Sequence, residues 1–292
     1  MLLVHKVSAV ASIALGVLAM LGFGVADFIA KIILTYTNAI RTVLLSQATG
    51  TVLFLGVALS YDRAFPSLTV VCLALIAGVL SAVVMCSYYL ALSLGKASVV
   101  ASISSCLTAV AIVLSVWILG ESFTSLQLSL IVLVFAGILL VAFEKTKGNE
   151  SSRTLSIVLA LMAALLGGGN VIIQKLIAVS DHYLMALFLT RISMLGCLVP
   201  FTYSLTPVTG KARSLSRNVT LSLLGLIDVS AFFAWYVGLR IGMVSIVTPV
   251  AMSSPAVTVL LAYFFLKERV RPHQRIGIAA IIIGIVLLSM IS

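Results

Sequence analysis

Ten stretches of almost uninterrupted apolar residues divide the chain, at about 7–30, 37–60, 67–94, 97–119, 125–143, 154–176, 182–206, 216–240, 242–266 and 272–291. Short polar connections separate them. A helix that crosses a bilayer needs about 20 mostly apolar residues, and each stretch is close to that length. None alternates between polar and apolar with the period of two that a membrane barrel requires. Hydrocarbon offers no partner to an unpaired backbone group, so helices are the structure these runs must take. The pattern predicts an all-α integral membrane protein of ten transmembrane helices, with no room for an extramembrane domain. Lys6 ahead of the first run resembles a secretory leader. That run is too long for one, however, and it continues through Gly22-Phe23-Gly24 to Asp27 and Lys31.

The pattern repeats. Shifted by 147 positions, residues 89–140 fall on 236–287 without a gap, with about 15 identities in about 52 positions. Tyr89 lands on Tyr236, Gly95 on Gly242, Glu121 on Glu268 and Gln127 on Gln274. Slightly different shifts put Lys31 on Lys175 and Arg41 on Arg191. The chain then reads as two five-helix halves, residues 1–148 and 149–292. Five is odd, so consecutive copies insert in opposite orientations. Inverted repeats create a pseudo-two-fold axis in the membrane plane and a mid-membrane cavity where the halves meet. The same packing can then face either side, which is the geometric requirement for alternating access.

Composition agrees. Of 292 residues, 62% are hydrophobic and 9% charged, and mean hydropathy is +1.28. Soluble domains carry about 25% charged residues, so a water-soluble enzyme is excluded. The net charge of +10 comes from 18 Lys and Arg residues spread among the connections; no basic element gathers them as a nucleic-acid module would. Cys72, Cys86, Cys106 and Cys197 lie inside apolar runs without metal-ligand spacing and read as small buried hydrophobes. About 13 cations fall in odd-numbered connections and about four on the other side. The positive-inside rule then puts both termini outside the cytoplasm.

Several duplicated motifs carry a family resemblance. Arg41 and Arg191 open the second helix of each half. The third helices end in Tyr88-Tyr89-Leu90-Ala91-Leu92 and Trp235-Tyr236-Val237-Gly238-Leu239. A Gly-x-x-Ser pattern follows at Gly95 and Gly242, and the second copy continues through Pro249, Pro255 and Leu266-Lys267-Glu268-Arg269 to Gln274, Gly277 and Gly284. In order, spacing and duplication the chain resembles the EamA-type branch of the drug/metabolite transporter superfamily. The resemblance implies a 5+5 inverted-repeat bundle in the cell membrane, without cofactor, that exports or exchanges small metabolites such as amino acids without hydrolysing ATP. It also implies cytoplasmic termini, against the charge count. Ser102 and Thr108 stand where the second half has Pro249 and Pro255, so the ninth span is expected to bend as a gate while the fourth stays straighter.

Ionisable groups at membrane depth cost several kcal/mol, so each one invites a role. Asp228 lies near the middle of the eighth run, a cation or proton site, a partner for a substrate amine, or a salt-bridge partner of Arg41 or Arg191. Arg41 and Arg191 can each meet a carboxylate with a fork of donors or serve as a structural pair. Asp27 stands four residues before Lys31, the spacing of a local ion pair. Asn170 and Gln174 share one face of the sixth helix beside the glycines 167–169, which permit close approach or unwinding. Tyr88, Tyr89, Trp235 and Tyr236 either line a pocket or belong to an interfacial belt. Glu121 and Glu268 precede the fifth and tenth helices, where a carboxylate caps unpaired amides.

The substrate-binding set read from the sequence is therefore Asp27, Arg41, Tyr89, Asn170, Gln174, Arg191, Asp228, Trp235 and Tyr236. Nucleotide loops, metal-spaced histidines and paired-Asp motifs are missing from the sequence. A carrier of small polar metabolites, monomeric or homodimeric, is the first reading. Proton-coupled drug efflux is the near alternative, and a non-transporting membrane enzyme or scaffold is the alternative from another class.

Overall fold

The computed structural model describes residues 2–35, 37–61, 64–95, 97–142, 150–200, 214–266 and 271–291. Every regular element among them is a helix: α1 (Leu2–Ile33), α2 (Ala39–Tyr61), α3 (Leu68–Leu94), α4 (Ala97–Ser105), α5 (Leu107–Leu119), α6 (Ser125–Ala142), α7 (Glu150–Ala178), α8 (Tyr183–Leu198), α9 (Ser214–Ile241), α10 (Val244–Ala251), α11 (Ser254–Leu266) and α12 (Pro272–Ile291). Seven stretches are long and apolar enough to cross a membrane. They lie in α1, α2, α3, α7 and α9 and along the broken pairs α4–α5 and α10–α11, while α6, α8 and α12 supply shorter apolar helices. Large apolar side chains such as Trp117, Phe264 and Met290 point outward, the arrangement that lipid favours and water penalises.

Side-chain contacts give the helix directions. Asp27 meets Tyr88 and Lys31 meets Leu92 and Gly95, so α1 and α3 run parallel. Asn170 bonds Ser81 and Ser156 bonds Ala91, so α7 runs against α3. Gly22 packs on Ala231, and Gly242 on Ser12, so α9 runs against α1. A Cβ at Gly242 would stand 2.5 Å from Ser12 Oγ; only glycine allows that approach. Two helices of the first half therefore point one way and their counterparts in the second half the other.

Two lysines close equivalent ends. Lys31 Nζ donates to the carbonyls of Leu92 and Gly95, at 2.8 and 2.6 Å. Lys175 donates to those of Leu239 and Gly242. The last carbonyls of a helix have no intrahelical donor, and a cation there also opposes the negative end of the helix dipole. The local Asp27–Lys31 pair expected from spacing is thus replaced by a cap across helices.

The fourth span does not stay straight. Cys106 N–H donates to Ile103 O and Ala109 N–H to Cys106 O, while Ser253 N–H donates to Val250 O and Ala256 N–H to Ser253 O. The two tight turns are identical and 147 residues apart. Proline is therefore not the cause of the break. Ser105 bonds back to Ala101 O and Ser253 to Pro249 O, and such back-bonding hydroxyls bend helices. Pro249 lies inside α10, and Pro255 sits in the first turn of α11, where a missing N–H costs little.

Glu121 caps a helix start, but not that of the helix that follows it. Its two carboxylate oxygens accept from Val244 N–H at 2.6 Å and Ser245 N–H at 3.0 Å, so the end of α5 meets the start of α10. The helix after Glu121, α6, is closed by a capping box instead. In it Thr124 Oγ1 accepts from Gln127 N–H, and Gln127 Oε1 accepts from Thr124 N–H. Glu268, Lys96 and several other connection cations, among them Lys145, Lys147, Lys211 and Arg213, lie outside the described residues. The glycines 167–169 leave α7 unbroken; Gly167 and Gly168 serve close approach, packed on Leu107 and Val110, while Gly169 faces open space. The cysteines are free, and none is fully buried, contrary to expectation: Cys72 is exposed, and Cys86, Cys106 and Cys197 are half-buried.

Candidate functional site

A cavity of about 180 Å³ lies among α1, α3, α7, α8 and α9, beside the breaks between α4 and α5 and between α10 and α11. Its walls are mostly apolar and aromatic, with Phe23, Tyr88, Phe232 and Trp235 among them, and three charged side chains enter it: Asp27, Arg191 and Asp228. Pockets of drug size are roughly 300–1,000 Å³, so this space suits a smaller molecule.

Arg191 and Asp228 are 3% and 4% exposed, and Gln47 joins them. Its Nε2 donates to Asp228 Oδ2 at 2.8 Å, and its Oε1 accepts from Arg191 Nη1. The amide thus gives each ion the partner it needs while holding the two apart. The guanidinium carbon lies 4.1 Å above the centre of the Phe232 ring and 5.4 Å from that of Phe54. An aromatic face attracts a desolvated cation by ~2 kcal/mol. Arg191 Nη2 finds no partner, and buried polar groups without partners are rare enough to need a reason.

Other walls carry the same signature. Asn170 Nδ2 donates to Ser81 Oγ at 2.9 Å, but Asn170 Oδ1 is unpaired, as are both amide atoms of Gln174, Trp235 Nε1 and Ser104 Oγ. All of these residues line the cavity. Asp27 is half-buried beside Tyr88, whose hydroxyl bonds its carboxyl group. Donors and acceptors held ready around a small apolar space are what a polar solute requires to leave water.

Seven residues of the sequence-derived set line this cavity: Asp27, Tyr89, Asn170, Gln174, Arg191, Asp228 and Trp235. Two do not. Arg41 is the third residue of α2, half-exposed and away from the cavity. The shift that matched it to Arg191 was wrong. Lys31 and Lys175 take equivalent carbonyls, and α2 and α8 begin at 39 and 183, both offsets of 144. The position equivalent to Arg191 is therefore Gln47. Tyr236 is fully buried between Tyr183 and Phe232, with ring centres 6.2 and 6.1 Å away, and fills the core beside the cavity. An interfacial belt does not describe these aromatics.

Sequence reading missed Gln47, Ser81, Ser104 and Phe232. Gln47 had a signal: a solitary carboxamide in an apolar run, brought onto Arg191 by the shift that matches the two lysines. Phe232 had none, since it looks like any apolar residue of its helix.

Such a cavity, enclosed by helices that run in opposed directions and lined by unpaired polar groups, is the architecture of a membrane transporter. Sequence comparison gives the same class. Residues 10–143 and 154–290 each match the model of the EamA-like transporter family, and the chain belongs to that family. It is a multi-pass integral membrane protein. It is similar to the uncharacterized protein MJ1333.1 of Methanocaldococcus jannaschii, 32% identical over 135 residues that cover 46% of this chain and 96% of that one. A protein of known crystal structure shares the fold, with a TM-score of 0.77 at 15% identity over 96% of both chains.

Proposed function

We propose that the protein is a ten-span carrier built as two inverted five-helix halves, residues 1–148 and 149–292, which moves a small zwitterionic metabolite across the cell membrane by alternating access. An amino acid is the favoured substrate class. The observation that carries this reading is the Arg191–Gln47–Asp228 chain at the cavity wall. Arg191 keeps Nη2 unused for a carboxylate, and Asp228 keeps its second oxygen, Oδ1, for an ammonium. Separated charges in a low-dielectric space recognise a dipolar solute and reject one charged wrongly. Asn170, Gln174, Ser104 and Trp235 supply further donors and acceptors around it.

The two broken spans are the moving parts. Each carries a tight turn beside the cavity, and α4–α5 and α10–α11 meet through Glu121 at one end. Opening one end while closing the other requires only that equivalent turns exchange roles, as inverted repeats allow. No nucleotide site occurs in the sequence, so gradients drive export or exchange. The cavity's size favours a metabolite over a drug.

Counterflow in sealed liposomes tests the reading. Purified protein is expected to accumulate labelled amino acid against an unlabelled internal pool, and Arg191→Leu to abolish it. Traces indistinguishable from protein-free liposomes across amino acids would refute it. Cysteines placed at Thr35 and Val179, exposed positions after α1 and α7, are expected to react with impermeant label from opposite sides. Labelling from one side would refute the inverted arrangement.

A further inference from the structure

Beyond the Arg191–Gln47–Asp228 chain, the cavity wall holds a second set of polar groups, all of them neutral. Gln174 is 1% exposed, and neither its amide nitrogen nor its amide oxygen has a partner. Asn170, one turn earlier on the same face of α7, gives its nitrogen to Ser81 and leaves Oδ1 free. Trp235 Nε1 on α9 and Ser104 Oγ on α4 are unpaired at the same cavity. A buried amide without partners lowers stability, so packing alone gives no reason to keep one. The first half shows that the fold does not need it. With the offset of 144 that brings Lys31 onto Lys175, Asn170 and Gln174 fall on Ala26 and Ala30 of α1, both buried. With the offset of 147, Ser104 falls on Ala251, also buried. The repeat therefore packs with methyl groups at the places where α7 and α4 carry unpaired amides and a hydroxyl.

We infer that these groups form a second subsite, which receives the side chain of the substrate, and that Gln174 selects a carboxamide there. The inference rests on the carrier reading above, in which Arg191 and Asp228 hold the carboxylate and ammonium common to all amino acids. The free groups decide the chemistry of the side chain. Gln174 Nε2 and Trp235 Nε1 donate, Gln174 Oε1 and Asn170 Oδ1 accept, and the Ser104 hydroxyl does either. A carboxylate only accepts and an ammonium only donates, so each leaves part of the set unpaired. An apolar side chain leaves all of it unpaired. A carboxamide has one oxygen and one NH2, meets both kinds of group, and can pair head to tail with the Gln174 amide. It also brings no charge into a low-dielectric space. A site built to hydrogen-bond a substrate group rejects the isostere that lacks it far more strongly than an apolar pocket discriminates by one methylene, because the buried partners are left unpaired.

Asparagine, leucine and aspartate have side chains of one shape and differ only in the atoms at the fork. The experiment reads the half-saturating concentration of each from counterflow in liposomes that hold the full chain. Asparagine is expected to saturate at a concentration roughly a hundredfold or more below that of leucine, the scale of two buried polar atoms left unpaired. Aspartate should do no better than leucine. Gln174→Met should narrow the ratio of leucine to asparagine to about tenfold or less, the scale of the single bonds still available from Asn170 or Trp235. Because the Gln174 amide has no protein partner, the same variant should keep or raise Tm in detergent. Equal values for asparagine and leucine in the wild-type protein would overturn the inference, whatever the variant does. So would aspartate matching asparagine, a ratio that survives Gln174→Met, or a fall in Tm of more than about 4 °C, roughly one kcal/mol or more, which would make Gln174 a structural residue. Failure of all three solutes, and of every other amino acid, would instead overturn the carrier reading beneath it.

Discussion

Replacing Gln47 by leucine tests the central geometry most directly. The side chain is 1% exposed, and both its hydrogen bonds go to ionised groups, Asp228 and Arg191. A hydrogen bond to a charged group contributes about 1.5–3 kcal/mol, so losing two removes ~3–6 kcal/mol in gross terms. Leucine is of similar size and leaves no cavity to add to this. The remaining ions recover part of the loss if they move together into direct contact, which sets the expected net cost near the lower figure, about 3 kcal/mol. For a chain of this order of length, each kcal/mol lowers Tm by about 2–4 °C, and a fall of roughly 6–12 °C follows. Thermal unfolding in detergent, read by intrinsic fluorescence, measures it. The same variant should lose transport more completely than stability, because direct contact between Arg191 and Asp228 uses up the groups that hold substrate. Asp228→Asn in the Gln47→Leu background should then cost much less than it does alone, since the two act through one chain of bonds. A Tm within ~2 °C of wild type, less than one kcal/mol by the same scale, together with unchanged transport, would refute the network.

Pro249→Ala should leave transport largely intact, because the first half makes the same turn at Cys106 without a proline; loss of counterflow in a folded protein would show that the proline gates after all. Glu121→Ala should lower stability by ~2 kcal/mol, the scale of a lost helix cap, because two buried amides at the start of α10 are left unpaired, and the scan that follows Gln47→Leu reads it. Gly168→Leu should destabilise by about 1–3 kcal/mol through overpacking against Val110, and no change in Tm would contradict the close approach of α5 and α7. Asp228→Asn should weaken amino-acid binding, because the substrate ammonium loses its carboxylate partner, and unchanged competition by unlabelled amino acid in the same liposomes would contradict that role.

Much of the site was legible because polar residues in hydrocarbon are conspicuous. Asp228, Asn170 and Gln174 stand out against their neighbours and proved to line one cavity. Arg41 was misplaced because a repeat aligned on identity alone found arginine opposite arginine, while the fold places glutamine there. Glu121 was recognised as a cap, yet its helix was 123 residues away, a partner no local spacing can name.

The sequence by itself determined that the chain lies in a bilayer, that it is helical and that it repeats, since unbroken apolar length, unpaired backbone groups and self-similarity are one-dimensional facts. Only the tertiary structure decided which face of each helix turns inward. In water an apolar stripe marks the buried face. In lipid both faces are apolar, and the inward one is chosen by small residues and hydrogen bonds between helices. Gly22 on Ala231, Lys175 on the carbonyls that end α9, and Gln47 between Arg191 and Asp228 are contacts of that kind. Such contacts join helices that run against each other, α1 with α9 and α3 with α7, around a space where two carboxylates meet one guanidinium.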